Sequence, residues 1–427
     1  MPFKDLRMYL QDLEREGELQ TIRAQVDWDE EIGAVAEEAI RIDAGALLFA
    51  NIKDHQNTHG QKLLINSNDT PRRMAIIFGY PTDMPVMEMI QENRRRARNR
   101  VKPVMVKSGP CKEVIEMGKQ VNLGEFPAPK LHAKDGGRYL QTYGGVVTKD
   151  PETGVTNIGI YRGMVVGQNS LGFLFVPTQH WGFHGRKYRA MGQKMPMAVT
   201  IGSGAVTPLA FFSYSPLGVS EYEMAGAFIE EPVPLVKCET VDLEVPATSE
   251  IVLEGEMSLD PRDFQLEGPF GEYPGYYTSM SAELRPVFKV NCVTHRKDPI
   301  LDCAIPGMGP VHPKPNRGII SSALIWNRLE DAGVQGLTAV FVEPSQPAVI
   351  YIAINKMFHG HAKQVGTALW GLGLNYTGKY TVVTDSDVDI TDASKVMAAV
   401  ANRTQGLQDF VVCQGTYGGD SGPGYPP

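Results

Sequence analysis

The 427-residue chain reads as a mixed α+β and α/β protein in three parts. These are an α/β unit over 1–105, a β-barrel over 106–305 and a second α/β unit over 306–427. Three observations predict this. Helix and strand signals alternate through the first hundred residues. Near Pro103 the texture changes to short β-rich runs separated by turn chemistry. Alternation then returns after a Pro/Gly-rich stretch at 306–315. A chain of this length buries sizeable cores in two or three domains.

In the first part, Leu6, Tyr9, Leu10 and Leu13 recur at helical spacing, and Gly17 stands where that helix stops. A second helix is expected over 30–42, strands at 46–52 and 62–66, and a helix over 71–78. A further helical pattern begins near Val86. It leads into Arg94-Arg95-Arg96-Ala97-Arg98-Asn99-Arg100-Val101-Lys102, which is expected to be a solvated face or an interface strip of ion pairs, with RNA binding the sharper alternative. In the middle part, Asp150-Pro151-Glu152-Thr153-Gly154, Gly167-Gln168-Asn169-Ser170 and Pro246-Ala247-Thr248-Ser249 mark turns between strands. Repeated hairpins predict a closed or partly closed barrel, with a helix over 221–228. In the last part the pattern predicts a helix at 319–329, strands at 337–342 and 348–354, a helix at 361–370 and a strand at 380–383. Thr391 or Asp392 would cap a helix running through Val400, and 410–412 would close with a strand. Residues 415–427 are Gly/Pro-rich and expected to be poorly ordered. There is no internal repeat.

Hydrophobic content of 42% and charged content of 21% are ordinary for a globular protein. A formal charge of −8, from 41 basic and 49 acidic residues, argues against nucleic-acid or membrane-surface binding. It leaves a small anionic substrate open, because local charge decides that. No apolar run approaches the roughly 20 residues that span a bilayer. Met1-Pro2-Phe3-Lys4-Asp5 lacks a signal-peptide core. The five cysteines are scattered, without CxxC spacing, as expected for reduced thiols in a cytoplasmic protein rather than a zinc ribbon or disulfide framework.

The densest chemistry lies at Glu267-Gly268-Pro269-Phe270-Gly271-Glu272, followed by Tyr273-Pro274-Gly275-Tyr276-Tyr277. A turn between two carboxylates can aim both into one cleft while giving them different surroundings, one as acid/base and one as orienter. The bland alternative is a solvated loop. Three further segments stand out: Asn157-Ile158-Gly159-Ile160-Tyr161-Arg162, Thr178-Gln179-His180-Trp181-Gly182-Phe183-His184 and Gly218-Val219-Ser220-Glu221. Arg162 is expected to lie in an apolar-alternating strand with Ile158 and Ile160, so either it or its neighbours face inward. If it points inward it is a natural carboxylate clamp that needs a counter-charge, which Glu267 supplies while Glu272 stays free. His180 and His184 have the spacing of half a zinc site on a helix, but Trp181-Gly182-Phe183 is a poor helix and no Glu follows His180. His359-Gly360-His361 reads as capping or surface. Gly202-Ser203-Gly204 and Gly418-Gly419 form no dinucleotide fingerprint. Residues 307–317, with His312 and Arg317, are either a linker or a substrate-facing loop.

Taken in order, these four motifs resemble the UbiD family of reversible decarboxylases that use prenylated FMN. The similarity runs from Phe3-Lys4-Asp5-Leu6-Arg7 to Asp385-Ser386-Asp387-Val388-Asp389-Ile390. The resemblance implies a split barrel like that of flavin reductases, binding the flavin, and a C-terminal oligomerisation domain. It implies a catalytic trio of Arg162, Glu267 and Glu272. Substrate adds to the prenylated flavin, CO2 leaves, and Glu272, with a raised pKa, returns the proton. Asn157, His180 and Glu221 match the ligands of a divalent metal bridging to the cofactor phosphate. This mixed donor set suits Mn2+ or Mg2+, with K+ beside it. Ile158, Ile160, Tyr161, Arg162, Gln179 and Lys356 join these as cofactor contacts. The expected substrate is an aromatic, heteroaromatic or α,β-unsaturated acid, which the aromatic-rich Glu267–Tyr277 segment also favours. A flavin prenyltransferase would supply the cofactor, and the assembly would be a homodimer or homohexamer. Family members usually continue into a C-terminal helix that embraces a neighbouring subunit, and no such helix is expected within these 427 residues. Two alternatives stay open: a non-catalytic or partner-dependent subunit of a multi-component aromatic carboxylase, and an ordinary FMN reductase or carrier.

Overall fold

Four strands make the first sheet: Leu19–Ile22, Ala46–Phe49, Lys62–Ile65 and Ile300–Asp302. The first two pair in parallel, the middle two are antiparallel, and Ile300–Asp302 runs parallel to Lys62–Ile65. The chain thus returns from the β-rich middle to complete the N-terminal sheet. Leu6, Tyr9, Leu10 and Leu13 form the buried stripe of helix Leu6–Arg15, whose first turn is capped by the Asp5 carboxylate accepting from the Met8 N–H. Helices Glu31–Arg41, Pro71–Phe78 and Val86–Ala97 follow. The structure, a computed structural model, describes residues 3–212, 215, 218–272, 275–277, 279–306, 315–346, 348–373 and 379–413, with backbone only at 315–317.

The central sheet runs in the order Tyr139–Gln141, Gly163–Gly167, Ser170–Phe173, Val287–His295, Ile251–Ser258, Met195–Ile201, Gly145–Lys149, Thr156–Gly159. Strand Val114–Met117 adds to Val287–His295. The two end strands are not paired with each other among the described residues. Even so, the chain leaves one end at Gly159 and re-enters next to the other end at Gly163. Four peptide steps reach at most about 14 Å. The sheet therefore curls until its ends nearly meet, a barrel with an open seam, and Arg162 lies in the segment that crosses it.

The C-terminal sheet joins Leu337–Val342 antiparallel to Val349–Ile354, which runs parallel to Tyr380–Asp385. Helices Pro315–Asp331 and His361–Gly371 pack on it, helix Ala393–Arg403 joins the same core through Val396, and Asp392 rather than Thr391 caps this last helix. The strand expected at 410–412 is absent. Phe410, Val411 and Val412 are exposed, and a short helix, Gly406–Asp409, precedes them. A β-prone run with no neighbouring edge forms no ladder.

Helix Val86–Ala97 packs on helix Pro315–Asp331. Arg94 lies 2.6 Å from Glu330 with its guanidinium 3.7 Å from the Trp326 ring centre, and Arg98 reaches both Glu330 and Asp331. Arg94 and Arg98 thus form an interface strip of ion pairs within the chain, while Arg95 and Arg100 are exposed. All five cysteines are free. Among the described residues, no helix is long and apolar enough to cross a membrane.

Candidate active site

Arg162 sits in the crossing between strands Thr156–Gly159 and Gly163–Gly167, not within a strand as its apolar neighbours led us to expect. Only 11% of its side chain is exposed. Its Nε and Nη2 donate to the two oxygens of Glu267 at 2.9 and 3.1 Å, a bidentate fork. Its Nη1 donates to Glu272 Oε1. Glu272 is therefore not clear of the guanidinium, as expected from sequence; one cation holds both carboxylates. The turn explains this. Gly268 adopts φ 85°, and Glu272 N–H donates to the Tyr276 carbonyl at 3.0 Å, folding the segment back over Arg162. Burial alone would lower the Arg162 pKa. The flanking Glu272 and Glu267 carboxylates more than offset it, and the guanidinium is held charged.

The braces around this trio had no sequence signal. Tyr139 OH donates to Glu267 Oε1 at 3.0 Å, and its ring packs 4.3 Å from that of Phe270. Phe270 lies 5.2 Å from the Arg162 guanidinium. Asp135 accepts from Gly271 N–H at 2.9 Å, and Gly136 N–H donates to the Pro269 carbonyl at 2.8 Å. A Cβ on Gly136 would stand 1.9 Å from the Gly268 carbonyl oxygen, so only glycine permits that approach. Tyr139 is buried, and desolvation followed by the Glu267 charge raises its phenol pKa, keeping it a neutral donor.

Asn157 lies on strand Thr156–Gly159, while His180 and Glu221 open helices His180–Ala190 and Glu221–Ile229, both of which pack against that strand. Glu221 accepts from the Ile158 N–H at 2.8 Å. Burial pushes its carboxyl up to about 8, with the Ile158 N–H and Ser215 opposing, and no cationic side chain pairs with it among the described residues. The Asn157 amide nitrogen is buried without a hydrogen-bond partner. Burial, then the Arg328 charge, lowers the His180 pKa, so the imidazole is neutral and able to ligate. A buried carboxylate, a neutral imidazole and the oxygen of a buried amide form a mixed donor set that fits a hard divalent cation.

Ile158 is buried and Ile160 half-buried. The Tyr161 ring stacks on Trp181 at 3.9 Å and 5°, and Gln179 accepts from the Trp181 indole N–H at 3.1 Å. The segment judged a poor helix is helical after all. Its tertiary packing overrides propensity, and Gly182 is required because a Cβ there would meet the Pro177 carbonyl at 2.5 Å. His184 is occupied by Thr148 at 3.0 Å. His361 is buried and accepts from Met357 N–H, a capping role. Lys356 is exposed, with no hydrogen bond or ion pair to Asn157, His180 or Glu221. Arg328, not foreseen, is the cation that acts on His180. Tyr273, His312 and the Gly418-Gly419 tail lie outside the described residues, as does the side chain of Arg317.

Three family models match, those of the 3-octaprenyl-4-hydroxybenzoate carboxy-lyase N-terminal domain over residues 10–92, Rift-related domain over 102–309 and C-terminal domain over 317–423. Pyrrole-2-carboxylic acid decarboxylase of Pseudomonas aeruginosa is 31% identical over 421 residues, covering 95% of this chain and 84% of its own. An evolved dimeric form of the UbiD-class enzyme HmfF from Pelotomaculum thermopropionicum, solved with prFMN, superposes with a TM-score of 0.83 at 31% identity. That match covers 94% of this chain and 90% of the other. The closed form of Sedimentibacter hydroxybenzoicus vanillic acid decarboxylase gives 0.87 at 28% identity, covering 94% and 85%. The seam geometry and these relatives agree: the chain belongs to the UbiD family of carboxy-lyases.

Proposed function

We propose that this protein is a non-oxidative, reversible decarboxylase of an aromatic, heteroaromatic or α,β-unsaturated carboxylic acid, working with prenylated FMN. The observation that carries the reading is the Arg162–Glu267–Glu272 cluster at the barrel seam. Losing CO2 from an sp2 carbon leaves an electron pair that no side chain holds, and prenylated flavin, when bound, supplies that electron sink.

The chain's own residues do the rest. Glu267 and Tyr139 fix the plane of Arg162, which presents the substrate carboxylate in one orientation. Each of the three Arg162 nitrogens already donates to a carboxylate, so a substrate carboxylate that takes Nη1 competes with Glu272 for it. Protonating Glu272 weakens that hold, and proton uptake at Glu272 and carboxylate binding at Arg162 favour each other. When the carbon–carboxylate bond breaks, its electron pair stays on carbon and takes the Glu272 proton. In reverse, Glu272 removes that proton. The Glu267 side chain is fully buried and that of Glu272 is 12% exposed, so Glu272 is the one that recovers a proton from solvent.

Asn157, His180 and Glu221 would hold Mn2+ or Mg2+, neutralising the cofactor phosphate, with K+ sharing Glu221. Arg328 adds positive charge beside His180, while Lys356 rests on resemblance alone. A flavin prenyltransferase would supply the cofactor to a homodimer or homohexamer, and the division at about 105 and 305 marks its three parts. The test is CO2 release by protein co-produced with a flavin prenyltransferase, against benzoic, heteroaromatic and cinnamic-type acids. Release from one class, abolished in Glu272→Gln, is expected. Full turnover in Glu272→Gln would remove the assigned role.

A further inference from the structure

At the far end of the strand that passes the trio, a second group of side chains converges. Strand Val114–Met117 pairs with Val287–His295 so that Glu116 faces Val293 and Val114 faces His295. Alternate pairs share a face, which sets Glu116 and His295 side by side. The loop between strands Ala46–Phe49 and Lys62–Ile65 lays His59 over them. His59 Nε2 lies 3.1 Å from Glu116 Oε1, and its ring centre is 5.4 Å from that of His295. One ligand atom from each residue lies within 4.8 Å of the other two.

The hydrogen bonding of this group is incomplete in an informative way. His295 is 2% exposed, and its Nδ1 is 2.7 Å from the Arg296 carbonyl, which accepts only if Nδ1 carries the proton. That leaves a lone pair on Nε2, which is buried with no partner. Glu116 Oε2 is likewise buried and unpartnered. A His59–Glu116 ion pair uses only Oε1 and leaves both orphans in place. A cation would satisfy both.

We propose that His59, Glu116 and His295 form a Zn2+-type transition-metal site, with water at the fourth position. Two imidazole nitrogens and one carboxylate oxygen suit zinc. The set lacks the thiolates of soft-metal sites and the all-oxygen shell of Mg2+ or Ca2+. The Arg296 carbonyl on His295 Nδ1 is the outer partner that orients a ligating imidazole. The site is remote from the trio. Val287 pairs with Gly172, where an added Cβ would lie 3.3 Å from Glu267 Cβ, whereas His295 ends the same strand about 26 Å away. The metal would pin a loop of the N-terminal unit to the barrel's added strand, a stabilising rather than a reacting ion.

The experiment is Co2+ titration of the metal-stripped full-length protein, read by visible d–d absorption, followed by Zn2+ displacement and the melting temperature. One equivalent with a four-coordinate spectrum is expected. It should persist in Glu221→Gln and weaken roughly 10–100-fold or more in His59→Ala and Glu116→Gln, and Zn2+ addition should raise the melting temperature of the parent and of Glu221→Gln but not of the two ligand variants. His59 is an exposed loop residue, so its variant tests ligation without opening the core. Equal Co2+ affinity in His59→Ala and the parent, or no equivalent surviving Glu221→Gln, would overturn the proposal.

Discussion

The two triads near opposite ends of strand Val287–His295 solve opposite problems. Around Arg162, three guanidinium nitrogens meet carboxylate oxygens, and the oxygens draw further support from Tyr139. That cluster is charge-paired within the polypeptide, and a substrate carboxylate enters it in competition with Glu272. Around His295 the facing atoms are lone pairs, and nothing in the described chain completes them. Buried charge therefore marks function in two ways: as a closed ion cluster awaiting competition, and as an open donor set awaiting a cation. The largest test separates them. Glu272→Gln should lower kcat by about 10²–10⁴-fold with the fold intact, while His59→Ala leaves CO2 release unchanged. The reverse pattern would break the contrast.

Two braces sharpen the closed side. Gly136→Ala places a methyl where the Gly268 carbonyl stands, so the Glu267–Glu272 turn must shift. Misplacement of about 1 Å costs about 100-fold in kcat, with circular dichroism near that of the parent. Tyr139→Phe keeps the ring against Phe270 but removes one hydrogen bond to a charged oxygen, about 1.5–3 kcal/mol, and should lower kcat about ten-fold with KM little changed. An effect on KM alone would mean that Tyr139 shapes the pocket rather than orienting Glu267.

What was legible follows from locality. Glu267 and Glu272 share one turn, so their spacing announced a common cleft, and helices such as Leu6–Arg15 showed themselves through periodicity. Asp135, Gly136 and Tyr139 act on that turn from a distant segment, and nothing in their own neighbourhood says so. The group of His59, Glu116 and His295 exists only because strand register sets two residues on one face. Helix His180–Ala190 escaped for another reason. Trp181 is held by Tyr161, and Gly182 by the closeness of Pro177, so long-range packing outweighed a weak local preference. The 410–412 run failed in the other direction, its β-preference finding no edge.

Asp302 supplies a third fate for a buried carboxyl and the mildest test. It is 2% exposed, its Oδ1 has no hydrogen-bond partner, and among the described residues neither an arginine ion pair nor a metal-type donor set serves it. Burial first, and the Glu250 charge second, push its pKa up from 3.8 to about 8. The folded state therefore keeps the proton while the unfolded chain releases it. The stability this contributes is present below the ordinary carboxylate range and is lost as pH rises toward about 8, by at most about 1.4 kcal/mol per pH unit. Asp302→Asn removes the titration and nearly keeps the shape. Its melting temperature should fall less than the parent's between pH 5 and pH 8, with kcat unchanged at the pH of best turnover. Parallel melting curves would mean that Asp302 is ionised in the fold, and that a buried carboxylate here needs neither guanidinium, metal nor proton to be tolerated.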